Sequence, residues 1–226
     1  MTHSGQVLGV DGCRAGWVGI VLGPDSFVRG VFGATIAELA AAAGPVDAIG
    51  IDMPLRVTDD PRPRASDLAV RRHLGPKRSS LFLTPPRAAY EAPTYAEACA
   101  VSRRLTGKAP SRQAWALGPK IRDVETWCDG VGVPVCEVHP EVSFSLLAGA
   151  PILAGKATWA GLEARRAVLA AAGIVVPTDV GEAGRAGADD VLDAAAAAWS
   201  ARRIARGEAR CFPDGLEPGD HPAIWA

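Results

Sequence analysis

No stretch of about eighteen apolar residues runs without a charge in this chain, so no segment of it reads as a transmembrane helix. The leading residues Met1-Thr-His-Ser-Gly5 lack the charged and apolar regions of a signal peptide and point straight into a strand. Cys-x-x-Cys is absent. The five cysteines (Cys13, Cys99, Cys128, Cys136 and Cys211) are odd in number and widely spread, which argues against a cysteine zinc site or redox motif. Reduced, mostly buried thiols of a cytoplasmic protein are the reading that remains. An excess of either charge is also missing. Lys plus Arg number 24 against 25 Asp plus Glu, for a net charge of −1, which argues against a general basic coat for nucleic acid but permits a local patch. No internal repeat and no disordered tail is evident.

What is present is a core. The 226 residues are 48% hydrophobic, enough for one substantial buried interior. Gln6–Asp11, Gly16–Leu22 and Phe27–Phe32 are short apolar runs joined by turn residues, which predicts an antiparallel meander. Thr35-Ile-Ala-Glu38 is a capping box that opens an Ala-rich helix ending at Gly44-Pro45. Asp47–Asp52 is then a fourth strand, reached through a helix and so parallel to its neighbour. From about 54 to 132, prolines break the chain into loops and short helices; one ends near Gly75, one starts at the box Thr94-Tyr-Ala-Glu97, and one region spans Ser111–Cys128. Val133–Val138 is a fifth strand. Helices follow near Glu141–Leu147, Ala160–Ala172 and Ala188–Ala205. The whole reads as one α/β domain over 1–226: a mixed five-stranded sheet flanked by helices, with a helical insertion between strands 4 and 5. With the first strand central, Asp11 and Asp52 lie side by side at the carboxyl ends of adjacent parallel strands, where open sheets place ligands.

Each of those strands closes on an aspartate, VLGVD at Asp11 and AIGID at Asp52. A charge at the edge of a buried strand is costly unless it is paired, hydrogen-bonded or bound to a cation. Either aspartate alone is equally a turn former, Asp11-Gly12 above all; two neighbours point to metal or catalytic use. Glu137 is out of place within the fifth strand and shares a face with His139, unless that strand is a solvated edge. In the last helix Asp189, Asp190 and Asp193 share one face. Asp189 or Asp190 serves equally as a cap, but Asp193 lies a turn further in, before five alanines that suggest close packing on a sheet. Clustered oxygen donors without cysteine or paired histidine suit Mg²⁺ or Mn²⁺, and two such ions can organise in-line attack on a phosphodiester.

Seven cations (Arg62, Arg64, Arg71, Arg72, Lys77, Arg78 and Arg87) stand against one acid, Asp67, between positions 62 and 87. Beside an acidic metal site they suit a polyanion, with Phe82, Tyr90 and Tyr95 available to stack on unpaired bases and Ser79, Ser80 and Thr84 to donate to phosphate. A solvated helix face with loop arginines balancing acids elsewhere is the alternative. His139 reads as a structural histidine at a strand end or, second to that, a proton shuttle.

Several motifs together resemble a known family: Asp11-Gly-Cys-Arg-Ala-Gly-Trp17, Ile51-Asp-Met-Pro-Leu55, Arg64 with Asp67, Ser80-Leu-Phe-Leu-Thr-Pro85, Glu137-Val-His-Pro-Glu141, Lys156 with Gly161 and Arg165, and Asp189-Asp-Val-Leu-Asp-Ala194. The chain is similar over nearly its whole length to uncharacterised bacterial proteins predicted to be ribonuclease H-like nucleases. The resemblance implies a ribonuclease H-like sheet in which Asp11 is the first-strand acid, Asp52 the fourth-strand acid, and Asp190 with Asp193 the closing-helix pair. The expectations are then Asp11, Asp52, Glu137 and Asp193 as catalytic residues, and Asp11, Asp52, Asp190 and Asp193 as ligands of Mg²⁺ or Mn²⁺. Arg64, Lys77, Arg78, Arg87, His139 and Lys156 are expected to bind a DNA or RNA substrate, and a homodimer is compatible with the reading. The runner-up is a non-catalytic nucleic-acid-binding or scaffold protein on the same fold. An actin-like ATPase, suggested by the glycines after Asp11, needs two such lobes and is excluded by length.

Overall fold

The computed structural model describes residues 5–217 and 222–226; the polar leader at 1–4 lies outside the described residues, as do 218–221. The chain opens with the meander: β1 (Val7–Cys13), β2 (Gly16–Leu22) and β3 (Phe27–Gly33), each antiparallel to the next. The first turn falls at Arg14-Ala15, where Cys13 faces Gly16, so Asp11 remains inside β1, opposite Val18. Thr35 caps α1 (Ile36–Ala43) by accepting from Glu38 N, but the Glu38 carboxylate accepts from Ala34 N, one residue before the cap, so the box is only half of the reciprocal form. β4 (Ile49–Ile51) is parallel to β1.

The segment between β4 and β5 (Val135–Val138) holds α2 (Ala65–Leu74), a 3₁₀ turn at Gly75–Ser80, and the short α3 (Arg87–Tyr90). It continues with α4 (Tyr95–Thr106), α5 (Arg112–Ala116) and α6 (Gly118–Cys128). Thr94 and Glu97 form the full capping box of α4, and Gly107 ends it in the left-handed region at φ 76°. After β5 come α7 (Pro140–Ala148), α8 (Trp159–Ala171) and α9 (Ala188–Ala205).

Among the described residues the sheet has seven strands, not five, in the order β3-β2-β1-β4-β5-β7-β6. The two additional strands, β6 (Cys211–Phe212) and β7 (Ile224–Trp225), come from the chain after α9; β7 lies parallel to β5, and β6 antiparallel to β7. β5 is therefore an interior strand and not a solvated edge.

Side chains alternate across the sheet and form two cores. On one face Val7, Val18, Ile20, Cys136 and Val138 pack under α9 with Phe144 of α7 and Leu169 of α8. On the other, Leu8, Val10, Ile49 and Ile51 pack with Ile36, Leu39, Ile121 and Val124 of α1 and α6. All five cysteines are free, and four of them are buried. No helix among the described residues is long and apolar enough to cross a membrane.

Candidate metal centre

The position of α9 is set by two glycines. A Cβ on Gly9 would lie 1.9 Å from Ala198 N and 2.2 Å from Ala194 O, and one on Gly50 would lie 2.7 Å from Ala197 O. The helix backbone thus rests on β1 and β4, and the alanines of α9 are the side chains small enough to allow it. Two residues beyond each glycine, on the same face of the sheet, stand Asp11 and Asp52. Asp52 N donates to Val10 O at 2.9 Å, extending the parallel ladder and holding the two strand ends level. Asp193, one residue before Ala194, comes down from the helix between them. Carboxylate oxygens of Asp11, Asp52 and Asp193 all lie within 4.8 Å of one another.

This cluster is short of positive charge. Asp11 Oδ1 accepts from Gly12 N at 2.7 Å, and Asp193 Oδ2 accepts from Lys156 Nζ at 2.6 Å. Asp193 Oδ1 is buried with no hydrogen-bond partner among the described residues. Burial first, then the charges of Asp52 and Asp193, hold the Asp11 carboxyl well above the usual carboxylate range. Asp52 is raised in the same way by burial and then by Asp193. Asp193 is pushed up to about 6 by burial, against the opposing pull of Lys156. Asp190 is half-buried at the helix start and is raised by burial and by Asp189; it lies outside the tight triad. Three carboxylates whose oxygens approach this closely, one of them carrying an orphaned oxygen, fit a hard divalent cation, which prefers oxygen donors.

Glu137 does not join them. Ile51 pairs with Glu137 across the β4–β5 ladder, so Glu137 points to the face opposite Asp52. There it accepts from Arg64 Nη1 at 2.9 Å and Nη2 at 2.7 Å, and from Leu55 N at 3.2 Å. Arg64 also donates to Asp67 at 2.6 Å and 3.1 Å, and Asp67 accepts from Thr84 N at 2.7 Å. All three ionic residues are buried. The guanidinium of Arg64 is thereby committed to two carboxylates, and its charge is held in place through its partners.

The remaining basic residues divide. Arg87 pairs with Glu125 and donates to Val57 O, while Arg62 pairs on the surface with Asp60. Arg71 donates to Leu81 O. Lys77 and Arg78 make no ion pair among the described residues, and Lys77 lines the cleft. Tyr90 is buried in the core and cannot stack on a base, and Tyr95 is held by Pro110 O and the Arg112 guanidinium. Phe82 lines the cleft. His139 lines it too; burial pushes its imidazole down to about 4, and its Nδ1 has no partner among the described residues.

Two contributors are invisible to local sequence reading. Lys120 of α6 lies over the Trp17 ring at 4.5 Å, donates to Gly16 O, and is near enough to Asp11 and Asp190 to act on them by charge. Arg165 is wholly buried and reaches Glu141 at 2.5 Å and Gly161 O at 3.1 Å. The glycines Gly9 and Gly50 did carry a signal, the repeated Gly-x-Asp at two strand ends. The cleft around these groups measures about 1030 Å³ and runs from the triad past Lys77, Ser79 and Phe82 to Lys108 and Gln113.

Residues 9–217 match the model of a family described as "Protein of unknown function (DUF429)". The chain belongs to that family. The DUF429 match takes in the whole triad, Lys156 and the Arg64 knot, and stops before β7. Neither the curated proteins nor the solved structures contain a match.

Proposed function

We propose that this DUF429 protein is a divalent-cation-dependent phosphodiester hydrolase, with Mg²⁺ or Mn²⁺ as cofactor and nucleic acid as substrate, built on a ribonuclease H-like sheet. The observation that carries the reading is the orphaned, buried Oδ1 of Asp193, on a carboxylate that clusters with two further under-neutralised carboxylates. Protein interiors rarely leave such an atom unpaired, because the desolvation cost is not recovered. Support for the fold assignment comes from the order β3-β2-β1-β4-β5, with β2 antiparallel to β1, β4 parallel to it, and acids on β1, after β4 and on the closing helix.

Asp11, Asp52 and Asp193 would hold the cation, and Asp190 stands at the rim. When bound, such an ion lowers the pKa of water and offsets charge on a phosphoryl oxygen. The chain's own residues supply the rest. Lys77 and Arg78 offer unpaired positive charge to a phosphate backbone, a contact that fixes position without reading sequence, and Phe82 offers an apolar wall to a base. The Arg64 knot holds the strand-4 loop through Leu55 N, and so keeps Asp52 at its strand end.

The test is hydrolysis of single-stranded, duplex and branched oligonucleotides, and of a small chromogenic phosphodiester, with Mg²⁺ or Mn²⁺. Cleavage that requires the metal and disappears in Asp52→Asn and Asp11→Asn supports the proposal. Salt-sensitive nucleic-acid binding with no hydrolysis of any substrate overturns it in favour of a non-catalytic binding protein.

A further inference from the structure

Lys156 approaches the triad from a loop that is fastened on both sides. Arg165 Nη1 donates to Ala154 O at 3.2 Å, and Thr158 Oγ1 donates to Gly155 O at 2.8 Å while accepting from Gly161 N at 3.1 Å. A Cβ on Gly161 would lie 1.9 Å from Gly155 O, so this residue has to be glycine for the loop to sit on α8. Arg165 is fixed in turn by Glu141. Burying an arginine and a glutamate to hold one loop is costly unless the loop matters, and what the loop presents is an ammonium 2.6 Å from Asp193 Oδ2. Asp189 lies further off at 3.7 Å.

On the reading that the triad holds a divalent cation, we infer that it takes one ion and that Lys156 supplies the second positive charge of the site. Two observations lead there. With Oδ2 engaged by Lys156, Asp193 has only Oδ1 to offer, so it is not available to bridge a pair of ions through both of its oxygens. The charge count agrees. Three carboxylates and one ammonium leave two negative charges, which one divalent ion neutralises and two would overshoot. The Lys156 charge acts on Asp11 and Asp52 as well as on Asp193, so it faces the whole cluster. Lys120, the other nearby ammonium, donates to Gly16 O instead. In a hydrolase of this design the Lys156 ammonium would offset charge on a non-bridging phosphate oxygen, the part a second ion would otherwise take.

The experiment is Mn²⁺ titration of the full chain by calorimetry, with free Mn²⁺ counted by electron paramagnetic resonance, for wild type, Lys156→Ala and Lys156→Arg. Thermal melts establish that each variant is folded; Lys156→Gln replaces the alanine variant if that one is not. One Mn²⁺ per wild-type chain is expected. Removing the ammonium should admit a second Mn²⁺ or tighten the first at least about tenfold, since a repelling charge within a few ångströms is gone. Lys156→Arg should stay at one ion. Two ions in the wild type, or a Lys156→Ala protein unchanged in both number and affinity, overturns this inference and leaves the metal reading standing. A wild type that binds no Mn²⁺ overturns the metal reading itself, and this inference with it.

Discussion

Two groups of buried charge sit on opposite faces of the same sheet, and they are built on opposite principles. The knot of Arg64, Asp67 and Glu137 is closed: one guanidinium serves two carboxylates, and backbone N–H groups of Leu55 and Thr84 take up further oxygens. The cluster of Asp11, Asp52 and Asp193 is open: three carboxylates share one half-exposed ammonium, and one oxygen faces nothing. A closed group repays its desolvation within the chain, so its role is to hold structure. An open group stores repulsion that only something outside the chain can relieve. Charge bookkeeping thus separates structural acids from functional ones where burial alone cannot, because both groups are buried.

The comparison predicts opposite responses to charge removal. Arg64→Ala leaves two buried carboxylates without a cation and should destabilise the protein by about 3–5 kcal/mol in urea unfolding. A loss below about 1 kcal/mol would show the knot to be no more than a surface pair. Removing charge from the open cluster should do the reverse in the absence of metal. The Asp193 carboxyl stands at about 6 in the folded chain against an ordinary 3.8. A raised carboxyl contributes stability that is fully present below about pH 4 and lost as pH rises through about 6. Wild type in chelator should therefore lose up to about 3 kcal/mol relative to Asp193→Asn between pH 4 and 7, and Mn²⁺ should restore the wild type alone. A stability difference that stays flat with pH would contradict the open arrangement.

Smaller effects sharpen the picture. Gly9→Ala forces α9 off the sheet and should cost about 1–3 kcal/mol while weakening Mn²⁺ binding, because Asp193 moves with the helix. Gly50→Ala, with more room, should cost less. If Gly9→Ala binds Mn²⁺ as tightly as wild type, the seating of the helix does not set the site. Lys77→Ala should leave stability within about 0.5 kcal/mol and reduce the salt dependence of nucleic-acid binding by about one unit of slope. An unchanged slope would remove Lys77 from the substrate path.

What could be read from sequence was what local chemistry decides. The Thr94–Glu97 box and the Ala188–Ala205 helix depend on neighbours within a few residues, and the structure places them as the residues imply. The additional strands were not legible because each is two residues long and exists only through pairing with distant chain. Sequence alone does not separate Glu137 from the aspartates, because its face depends on the β4–β5 register, which no local pattern encodes. Arg64 reads as a substrate cation from sequence because Glu137, the second carboxylate that commits its guanidinium, lies 73 positions away. The charge surplus of 62–87 is likewise smaller in the fold, because Asp60 and Glu125, which neutralise Arg62 and Arg87, lie outside that segment.

The open cluster is tested most directly by a crystal of the protein soaked in Mn²⁺, with anomalous scattering used to locate the ion. The account predicts a peak ligated by Asp11, Asp52 and Asp193 Oδ1, with Lys156 still on Oδ2. A fully soaked crystal with no peak there, or with its only ordered ion held elsewhere, would contradict it.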